Sequence, residues 1–292
     1  MSRARTALAA SVGAAVVLAA SACAPQPTTT ASAANTATGA AACTASHLSL
    51  YKQGQLTVAT DSPAYAPWFD NNSPADGKGF ESAVAYAVAA KLGFSKNQVK
   101  WVVEPFDNSY APGAKNFDFD INEISITPQR AQAVDFSSSY YDANQGVLVL
   151  NKSKFANATS LAQLKDARIG VQVATTSYQA VLDQIKPTKQ PSVYNTTNDE
   201  ISALQDGQID AIVTDMPTVF YLASAELNNG KILGQFDYAN GTPEQFGLLL
   251  AKGSALTPCL NQTLASLKAD GTLASITKQW LSASADVPAL KQ

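Results

Sequence analysis

Arg130 stands where a positively charged side chain needs a particular reason to be. In the stretch ISITPQRAQAVDFS, Ile124 and Ile126 alternate with hydroxyl residues as in a strand, and Thr127 and Pro128 are residue types favoured at the N-cap and first position of a helix. Arg130 therefore falls in the first helical turn, where the helix dipole disfavours a cation by roughly 0.3–1 kcal/mol. A negatively charged group must offset that cost.

Two kinds of negative group fit Arg130. A guanidinium matches a carboxylate bidentately, and free N–H groups at a helix N-terminus also favour an anion, so a ligand carboxylate is one possibility. The Ser125 hydroxyl lies close by as a further polar contact. An intramolecular carboxylate such as Asp135 is the other possibility, and these residues alone leave both open.

The other chemistry-bearing residues argue against common enzyme classes. His47 is the only histidine, so a catalytic triad would depend on it, and a histidine-based zinc site is excluded. No glycine-rich stretch has the spacing of a phosphate-binding loop. The net charge of −3 offers no basic surface for nucleic acid. Carboxylate pairs could still do acid–base work, but we predict no catalytic residue, metal, cofactor or nucleic-acid partner.

The N-terminal part of the sequence predicts export. A short basic region precedes the Ala-rich apolar run 7–20, which is too short for a good membrane span, and a signal-peptidase pattern ends it at Ala20-Ser21-Ala22. Cys23 follows directly, so the segment resembles a bacterial lipobox, whose cysteine is diacylated and becomes the mature N-terminus. We expect a signal peptide over 1–22, with a secreted protein carrying an incidental cysteine as the alternative.

Residues 23–43 are rich in Pro, Thr and Ala and have neither charge nor hydrophobic period. Such a segment cannot bury a core and predicts a flexible tether behind the lipidated cysteine. The folded part should therefore lie outside the cell membrane, held by one lipid anchor.

Cys43 and Cys259 remain as an isolated pair in an oxidising compartment. Both stand beside polar turn residues, which favours a disulfide over two separately buried thiols. The bond would close a 216-residue loop and would stabilise the fold by at most about 5 kcal/mol in the chain-entropy model.

Strand and helix patterns alternate along the folded part, which predicts α/β layers with parallel strands. Short apolar runs predict strands over 56–60, 99–103, 145–150, 168–172, 210–213 and 245–250. Apolar residues at helical spacing predict helices over 80–92, 161–165, 177–185, 199–205, 217–227, 256–267 and 273–281.

The last two helices are too few to form a domain, so they should pack back on the beginning of the chain. This predicts a first lobe built from residues 44–141 and 242–292, with a second lobe of residues 145–238 inserted between them. Two crossing strands, near 142–145 and 239–242, would form the hinge.

Four stretches resemble, in the same order, the family-3 bacterial solute-binding proteins, which are extracytoplasmic amino-acid receptors of ABC importers. They are residues 56–69, 123–137, 168–178 and 198–217, and the block TPQRAQAVDFS is the most specific. With the terminal DGTLASITKQWL they cover nearly all of the mature chain. The resemblance implies an α/β, two-lobed periplasmic-binding-protein-like fold of type II, with two parallel-rich sheets joined by a two-strand hinge.

The same resemblance implies the function and the partners. A lipid-anchored monomer would close on a polar amino acid and present it to an ABC permease in the membrane. Two rival functions use the same fold. One is an extracytoplasmic dehydratase or lyase, and the other is the ligand-sensing subunit of a signalling system.

The resemblance also assigns ligand contacts to particular residues. Arg130 matches the arginine that binds the ligand α-carboxylate, and Ser125 matches a hydroxyl residue that contacts the amino acid from the same strand end. Asp215 matches the carboxylate that holds the α-ammonium from the second lobe. Thr175 and Thr176 lie in the loop whose N–H groups reach the carboxylate across the cleft.

Aromatic residues would form the walls of the site. Tyr65 and Phe106 match the family's walls against the ligand side chain, and Trp68 is a nearby third. Each assignment has a plainer alternative, because aromatic residues are usually core, Asp215 could cap the following helix, and a threonine pair could form an ordinary turn.

The sequence departs from the family at the floor of the expected pocket. Asn122 and Glu123 replace small residues, and segment 107–119 replaces an apolar helix. Asp61 is one residue further from Tyr65 than the family spacing. Glu123 could meet a cationic or amide end of a ligand, could act as the acid of a lyase, or could be solvated. These departures leave the bound amino acid open.

Overall fold

The computed structural model describes residues 43–238, 243–281 and 287–292. The expected signal peptide, Cys23 and the tether up to residue 42 lie outside the described residues, as does the expected crossing at 239–242. No helix within these described ranges is long and apolar enough to cross a membrane.

Ten strands form two five-stranded sheets in the described part of the chain. In chain order they are β1 Leu56–Thr60, β2 Val99–Val103, β3 Phe119–Asp120, β4 Val134–Ala143, β5 Gln145–Leu150, β6 Ile169–Gln172, β7 Ser192–Tyr194, β8 Ala211–Asp215, β9 Gly230–Phe236 and β10 Glu244–Ala251. The first sheet has the order β2-β1-β3-β10-β4, and the second has the order β7-β6-β8-β5-β9.

Each sheet belongs to one lobe, and the predicted two-lobed α/β fold is confirmed. The sheets are evenly mixed rather than rich in parallel pairs. In the first, β1 pairs in parallel with β2 and β3, whereas β10 is antiparallel to both β3 and β4. In the second, β6 pairs in parallel with β7 and β8, whereas β5 is antiparallel to both β8 and β9.

The described helices lie close to the predicted ones, except α2, which the sequence did not predict. They are α1 Phe80–Lys91, α2 Phe106–Ser109, α3 Arg130–Ala133, α4 Thr176–Ala180, α5 Thr197–Gln205, α6 Met216–Tyr221, α7 Thr257–Ala269 and α8 Thr272–Leu281. Single π-helical turns extend α4 to Ile185 and α6 to Glu226. The segment predicted as helix 161–165 is a 3-10 turn, Leu161–Leu164, closed by reciprocal capping between Ser160 and Gln163.

The first lobe buries α1, α7 and α8 against its sheet. Phe80, Val84 and Val88 of α1 are fully buried there with apolar residues of α7 and α8. The Cys43–Cys259 disulfide, with a Cα–Cα distance of 5.2 Å, joins the start of this lobe to α7. The predicted disulfide is therefore confirmed, and so is the return of the last helices to the beginning of the fold.

The final residues, 287–292, lie on the second lobe, where the sequence placed them in the first. The Leu290 N–H donates to the Gln235 carbonyl at 2.8 Å, and Leu290 belongs to the second lobe's core. Gly234 leaves room for it, since a Cβ at that position would lie 2.7 Å from Leu290 Cγ. A single apolar side chain in a polar tail carries no periodic signal, which is why the sequence did not reveal this contact.

Candidate functional site

A cavity lies between the two lobes, where strand ends of both sheets face each other. The first lobe contributes Asp61, Pro63, Tyr65, Phe69, Phe106, Asn122 and Glu123 to its wall. The second lobe contributes Gln172, Thr175, Thr176, Thr197, Thr214, Asp215 and Thr218. Six of the ligand contacts expected from the sequence therefore line one cavity: Tyr65, Phe106, Glu123, Thr175, Thr176 and Asp215.

Arg130 is buried at the boundary between the lobes rather than on that wall. One guanidinium nitrogen donates to the Ser125 carbonyl at 2.9 Å, and the other terminal nitrogen donates to the Ala174 carbonyl of the second lobe at 3.0 Å. The rings of Phe106 and Tyr110 lie 5.4 and 4.8 Å from the guanidinium carbon. The guanidinium lines a neighbouring cleft, which shares two residues, Thr175 and Thr176, with the cavity.

The helix that carries Arg130 begins at Arg130 itself, two residues later than the predicted first position at Pro128, but Thr127 still accepts hydrogen bonds from its first turn. The Thr127 hydroxyl accepts the Arg130 N–H at 3.1 Å, and the Thr127 carbonyl accepts the next N–H, that of Ala131, at 2.9 Å. Asp135 instead pairs with Lys252 at 3.1 Å. Within the described residues no carboxylate lies within ion-pair distance of Arg130, so the intramolecular partner considered from the sequence is wrong.

Hydroxyl groups join the two lobes around the cavity. Ser125 Oγ and Thr176 Oγ1 lie 3.2 Å apart. The Trp68 indole N–H donates to Thr218 Oγ1 at 2.7 Å, and the Thr218 hydroxyl donates to Glu123 Oε2 at 3.1 Å. Because each contact links a first-lobe residue to a second-lobe residue, the lobes are closed on each other.

The aromatic side chains divide between wall and core. Tyr65 and Phe106 line the cavity, as the resemblance implied, and so does Phe69. Trp68 does not line it. Its ring is fully buried and contacts Phe80 and Phe246, with only its N–H directed to the second lobe. Adjacent aromatic residues are hard to assign from sequence, because either one can face the core.

Asp215 ends β8, and its side chain makes no capping bond to α6. Instead, Gln145 Nε2 donates to Asp215 Oδ1 and to Glu244 Oε2, both at 2.8 Å. The plain capping role is therefore wrong for Asp215. Thr175 does have a turn role, because its hydroxyl accepts the Tyr178 N–H at the start of α4.

A group of buried carboxyl side chains lies behind the cavity lining, and only Glu123 among them was singled out from the sequence. Glu81 of α1 is fully buried, and its Oε1 accepts the Tyr140 hydroxyl and the Glu123 N–H. Burial raises the pKa of Glu81 to about 7. Asp120 of β3 is fully buried and has no hydrogen-bond partner among the described residues.

For Asp120, Glu123 and Asp215, electrostatic repulsion adds to the effect of burial. Burial raises the pKa of Glu123 well above its ordinary value, and the nearby Glu81 and Asp215 carboxyls raise it further. The pKa of Asp215 is likewise raised by burial and by Glu244, although Arg130 opposes this. One signal in the sequence was usable, because Glu81 interrupts the apolar pattern of α1. No group of three or more His, Cys, Asp or Glu in the described part of the chain is placed to hold a metal ion.

Two residues at the lobe boundary have left-handed backbone conformations that are uncommon outside glycine. Glu123 has φ of 52°, and Ala174 has φ of 62°. The first aims the Glu123 N–H at Glu81, and the second belongs to the residue whose carbonyl meets Arg130. Such conformations cost energy and persist where the surrounding structure holds them, often at functional sites.

The fold and the cavity between its lobes are those of a solute receptor, and comparison with known proteins identifies the family. The chain belongs to the bacterial extracellular solute-binding proteins, family 3, whose model matches residues 56–283. This confirms the resemblance seen in the sequence.

Among similar proteins, the "ABC transporter arginine-binding protein 1" of Escherichia coli (strain K12) is 29% identical over 226 residues, which are 75% of this chain and 88% of that protein. An ancestral arginine-binding protein solved with glutamine is 28% identical with a TM-score of 0.66, over 79% of this chain and 99% of that one. The ancestral amino acid-binding protein AncCDT-1, described as a precursor of cyclohexadienyl dehydratase, is 30% identical with a TM-score of 0.65, over 78% of this chain and 95% of that one.

Proposed function

We propose that this protein is an extracytoplasmic receptor that binds a free polar amino acid between its lobes and delivers it to the permease of an ABC importer. The observation that carries the proposal is a buried guanidinium without a carboxylate partner among the described residues, at the boundary of a cavity lined by carboxyl groups. An amino acid carries a carboxylate, which would pair with the guanidinium, and an ammonium group, which would pair with a carboxyl group of the cavity. The similar proteins named above, two of them arginine-binding, support this class of ligand.

The ligand carboxylate would bind Arg130. A guanidinium has five N–H donors, and two of them go to the carbonyls of Ser125 and Ala174. When the lobes open, the Ala174 carbonyl would leave Arg130. A ligand carboxylate would take its place before the lobes close again. The Ser125 hydroxyl and the N–H groups of Thr175 and Thr176 would complete that end of the site.

The ligand ammonium would bind Asp215, whose carboxyl already interacts electrostatically with Arg130. The ligand side chain would lie against Tyr65 and Phe106, with Trp68 behind that wall holding the second lobe through Thr218. Its polar end would approach Glu123.

Closure would take place about the crossings near 142–145 and 239–242, between a first lobe of 44–141 with 242–281 and a second lobe of 145–238 joined by 287–292. We propose that the receptor is a monomer, because its site is complete within one chain. The signal peptide would be 1–22, and the diacylated Cys23 with the tether 23–43 would hold the folded part at the cell membrane.

The anchor is tested by replacing Cys23 with alanine in the exporting cell. We expect the variant in the culture medium or soluble extract, with amino-acid affinity unchanged. Incorporation of labelled fatty acid into the Cys23→Ala protein would contradict the anchor and leave the binding function untouched.

The binding function is tested by a thermal-shift screen over the twenty amino acids, followed by calorimetric titration of those that raise the melting temperature. Asp215→Asn retains the shape of the side chain and the Gln145 contact, and should weaken binding at least tenfold because the ammonium loses its partner. Asp206→Asn, at the exposed end of α5, is the matched control. If no amino acid binds the wild-type protein, or if Asp215→Asn binds as tightly as the control, the proposed site is wrong.

A lyase or dehydratase is the second candidate, and a specific observation favours considering it. Glu123 is a cavity carboxyl whose pKa is raised, so it could remain protonated and act as a general acid, and one similar ancestral protein is described as a dehydratase precursor. Incubation with candidate hydroxy-substituted amino acids or cyclic acids, followed by mass analysis, separates turnover from binding. Loss of water from any of them, abolished in Glu123→Gln, would establish the enzyme.

A further inference from the structure

The cavity wall is acidic and has no basic side chain among its described residues. Asp61, Glu123 and Asp215 all line it, and no Lys, Arg or His does. Directly behind Glu123 lies Glu81, whose carboxyl accepts the Glu123 N–H at 2.6 Å. We call Glu81, Asp120 and Glu123 the acidic floor, since Glu123 lines the cavity, Glu81 contacts it from behind, and Asp120 interacts electrostatically with Glu81.

An independent observation indicates that a polar ligand group enters beside this floor, because an amide donor that is unpaired among the described residues faces the cavity there. Asn122 lines the cavity, is nine-tenths buried, and its Nδ2 has no hydrogen-bond partner among the described residues. Behind the cavity lining, Glu81 Oε2 and both oxygens of Asp120 also have no hydrogen-bond partner among the described residues, and both side chains are fully buried. Buried polar groups are normally paired, and exceptions mark places with a special role.

The surroundings of the floor supply little positive charge. Tyr140 of β4 faces Glu81, and the carboxyls of Asp61 and Asp215 face Glu123. Glu104 and Lys115 act on Asp120, and Lys115 is the one cation that acts on the floor in the described residues. At Asp215, the Glu244 carboxyl raises the pKa and the Arg130 guanidinium lowers it.

We infer that the acidic floor is a proton-exchanging subsite for the distal end of the ligand side chain, which takes a guanidinium or ammonium group when ionised and an uncharged isostere when protonated. This inference rests on the proposed function, because it takes an amino acid to be the ligand of the cavity. Glu123 is the residue that would touch the distal group. Glu81 would act through Glu123 as a positioning residue.

When no cation is bound, protons neutralise the carboxyl groups of the acidic floor. Burial raises the pKa of Glu81 to about 7. Burial, together with repulsion from Glu81 and Asp215, raises the pKa of Glu123 well above its ordinary value. A cation within a few ångströms favours the ionised carboxylate, so its binding must expel a proton to the solvent. An uncharged group of the same shape accepts a hydrogen bond from the protonated acid and expels none.

The consequence is a ligand preference that changes with pH. For each proton released, affinity rises about tenfold per pH unit below the carboxyl's own pKa, and levels off above it. Arginine and citrulline are a matched pair of probes, because they share the backbone groups and side-chain length but differ in charge. We expect arginine to bind about tenfold more tightly per pH unit as the pH rises from 5.5 toward the raised pKa of the floor, whereas the affinity for citrulline stays constant or falls.

The experiment is calorimetric titration of both probes from pH 5.5 to 8, in two buffers of different ionisation enthalpy to count released protons. Glu123→Gln should remove the pH dependence for arginine and reduce the arginine-to-citrulline ratio at pH 8 at least tenfold. Glu81→Gln should reduce the slope without abolishing binding. Asp206→Asn should match the wild type.

The wild-type titrations decide the matter even if a variant folds poorly. A pH-independent arginine affinity, no proton release, or an unchanged arginine preference in Glu123→Gln would each overturn the inference. If a different, neutral amino acid binds while arginine does not, the subsite is wrong and the proposed function stands. If no amino acid binds at any pH, both fail.

Discussion

Replacing Glu81 with glutamine should change how the stability of the ligand-free protein depends on pH. Glu81 is fully buried, and its Oε1 accepts hydrogen bonds from the Tyr140 hydroxyl and the Glu123 N–H. Glutamine has the same shape and retains a carbonyl oxygen for both donors. The substitution therefore removes the titration of one buried group while leaving its two hydrogen bonds in place.

The magnitude follows from the pKa of Glu81. Folding raises it from an ordinary 4.5 to about 7, and each pKa unit corresponds to about 1.4 kcal/mol. The folded protein thus holds this proton more tightly by roughly 3 kcal/mol. Because the folded pKa is the higher one, this contribution to the free energy of unfolding is fully present below pH 4.5 and is lost as the pH rises through 7.

Urea denaturation of the ligand-free protein, followed by circular dichroism at several values between pH 4.5 and 7.5, measures the effect. Other buried carboxyls also titrate in the wild type, so the quantity to compare is the difference between Glu81→Gln and wild type at each pH. That difference should shift by about 3 kcal/mol in favour of the variant from low to high pH. Asp206→Asn should give a constant difference.

Two outcomes would refute this reasoning. Parallel pH profiles for Glu81→Gln and wild type would mean that Glu81 titrates alike in the folded and unfolded states. A difference that shifts in favour of the wild type as the pH rises would mean that the Glu81 carboxylate is stabilised by folding, with the opposite sign of linkage.

Three further predictions follow from single contacts. Arg130→Lys retains the charge but loses the bidentate fork, so calorimetric titration should show amino-acid affinity reduced a hundredfold, or by about 3 kcal/mol; unchanged affinity would exclude Arg130 from the site. Thr218→Val leaves the buried Trp68 N–H unpaired, and the free energy of unfolding should fall by about 1–3 kcal/mol with a change in tryptophan fluorescence; an unaltered spectrum would contradict the inter-lobe bond. Replacing Cys43 and Cys259 with alanine should cost about 2–5 kcal/mol in urea denaturation; equal stability of variant and oxidised wild type would show that the disulfide contributes little.

Much of the fold was predictable because its buried strands are short runs rich in apolar residues. Leu56–Thr60 is buried at every position, and such a run between polar turns has few alternatives. Of the residues that line the cavity, Tyr65, Phe106 and Asp215 were singled out through the resemblance, and Tyr65 and Asp215 lie within two of its recognisable stretches. Composition or periodicity alone would not have placed them on one cavity.

The elements that were missed lack a periodic signal of their own. Phe119–Asp120 is only two residues long, and it is a strand because β1 and β10 lie on either side of it. Val134–Ala143 contains a run of serines and tyrosines, but it pairs along almost all of its length with β10. In both cases the partner strand determines the structure, and no short window of sequence contains that information.

The acidic floor was unpredictable for a related reason, since the state of a carboxyl group depends on what closes over it. Glu123 comes from the first lobe and accepts the Thr218 hydroxyl of the second, while Asp215 of the second lobe repels it when both are ionised. Closure therefore desolvates Glu123 and brings it toward a like charge, so we expect protonation of the floor to favour the closed form without ligand. A ligand cation would replace the proton in that role, because it removes the same repulsion.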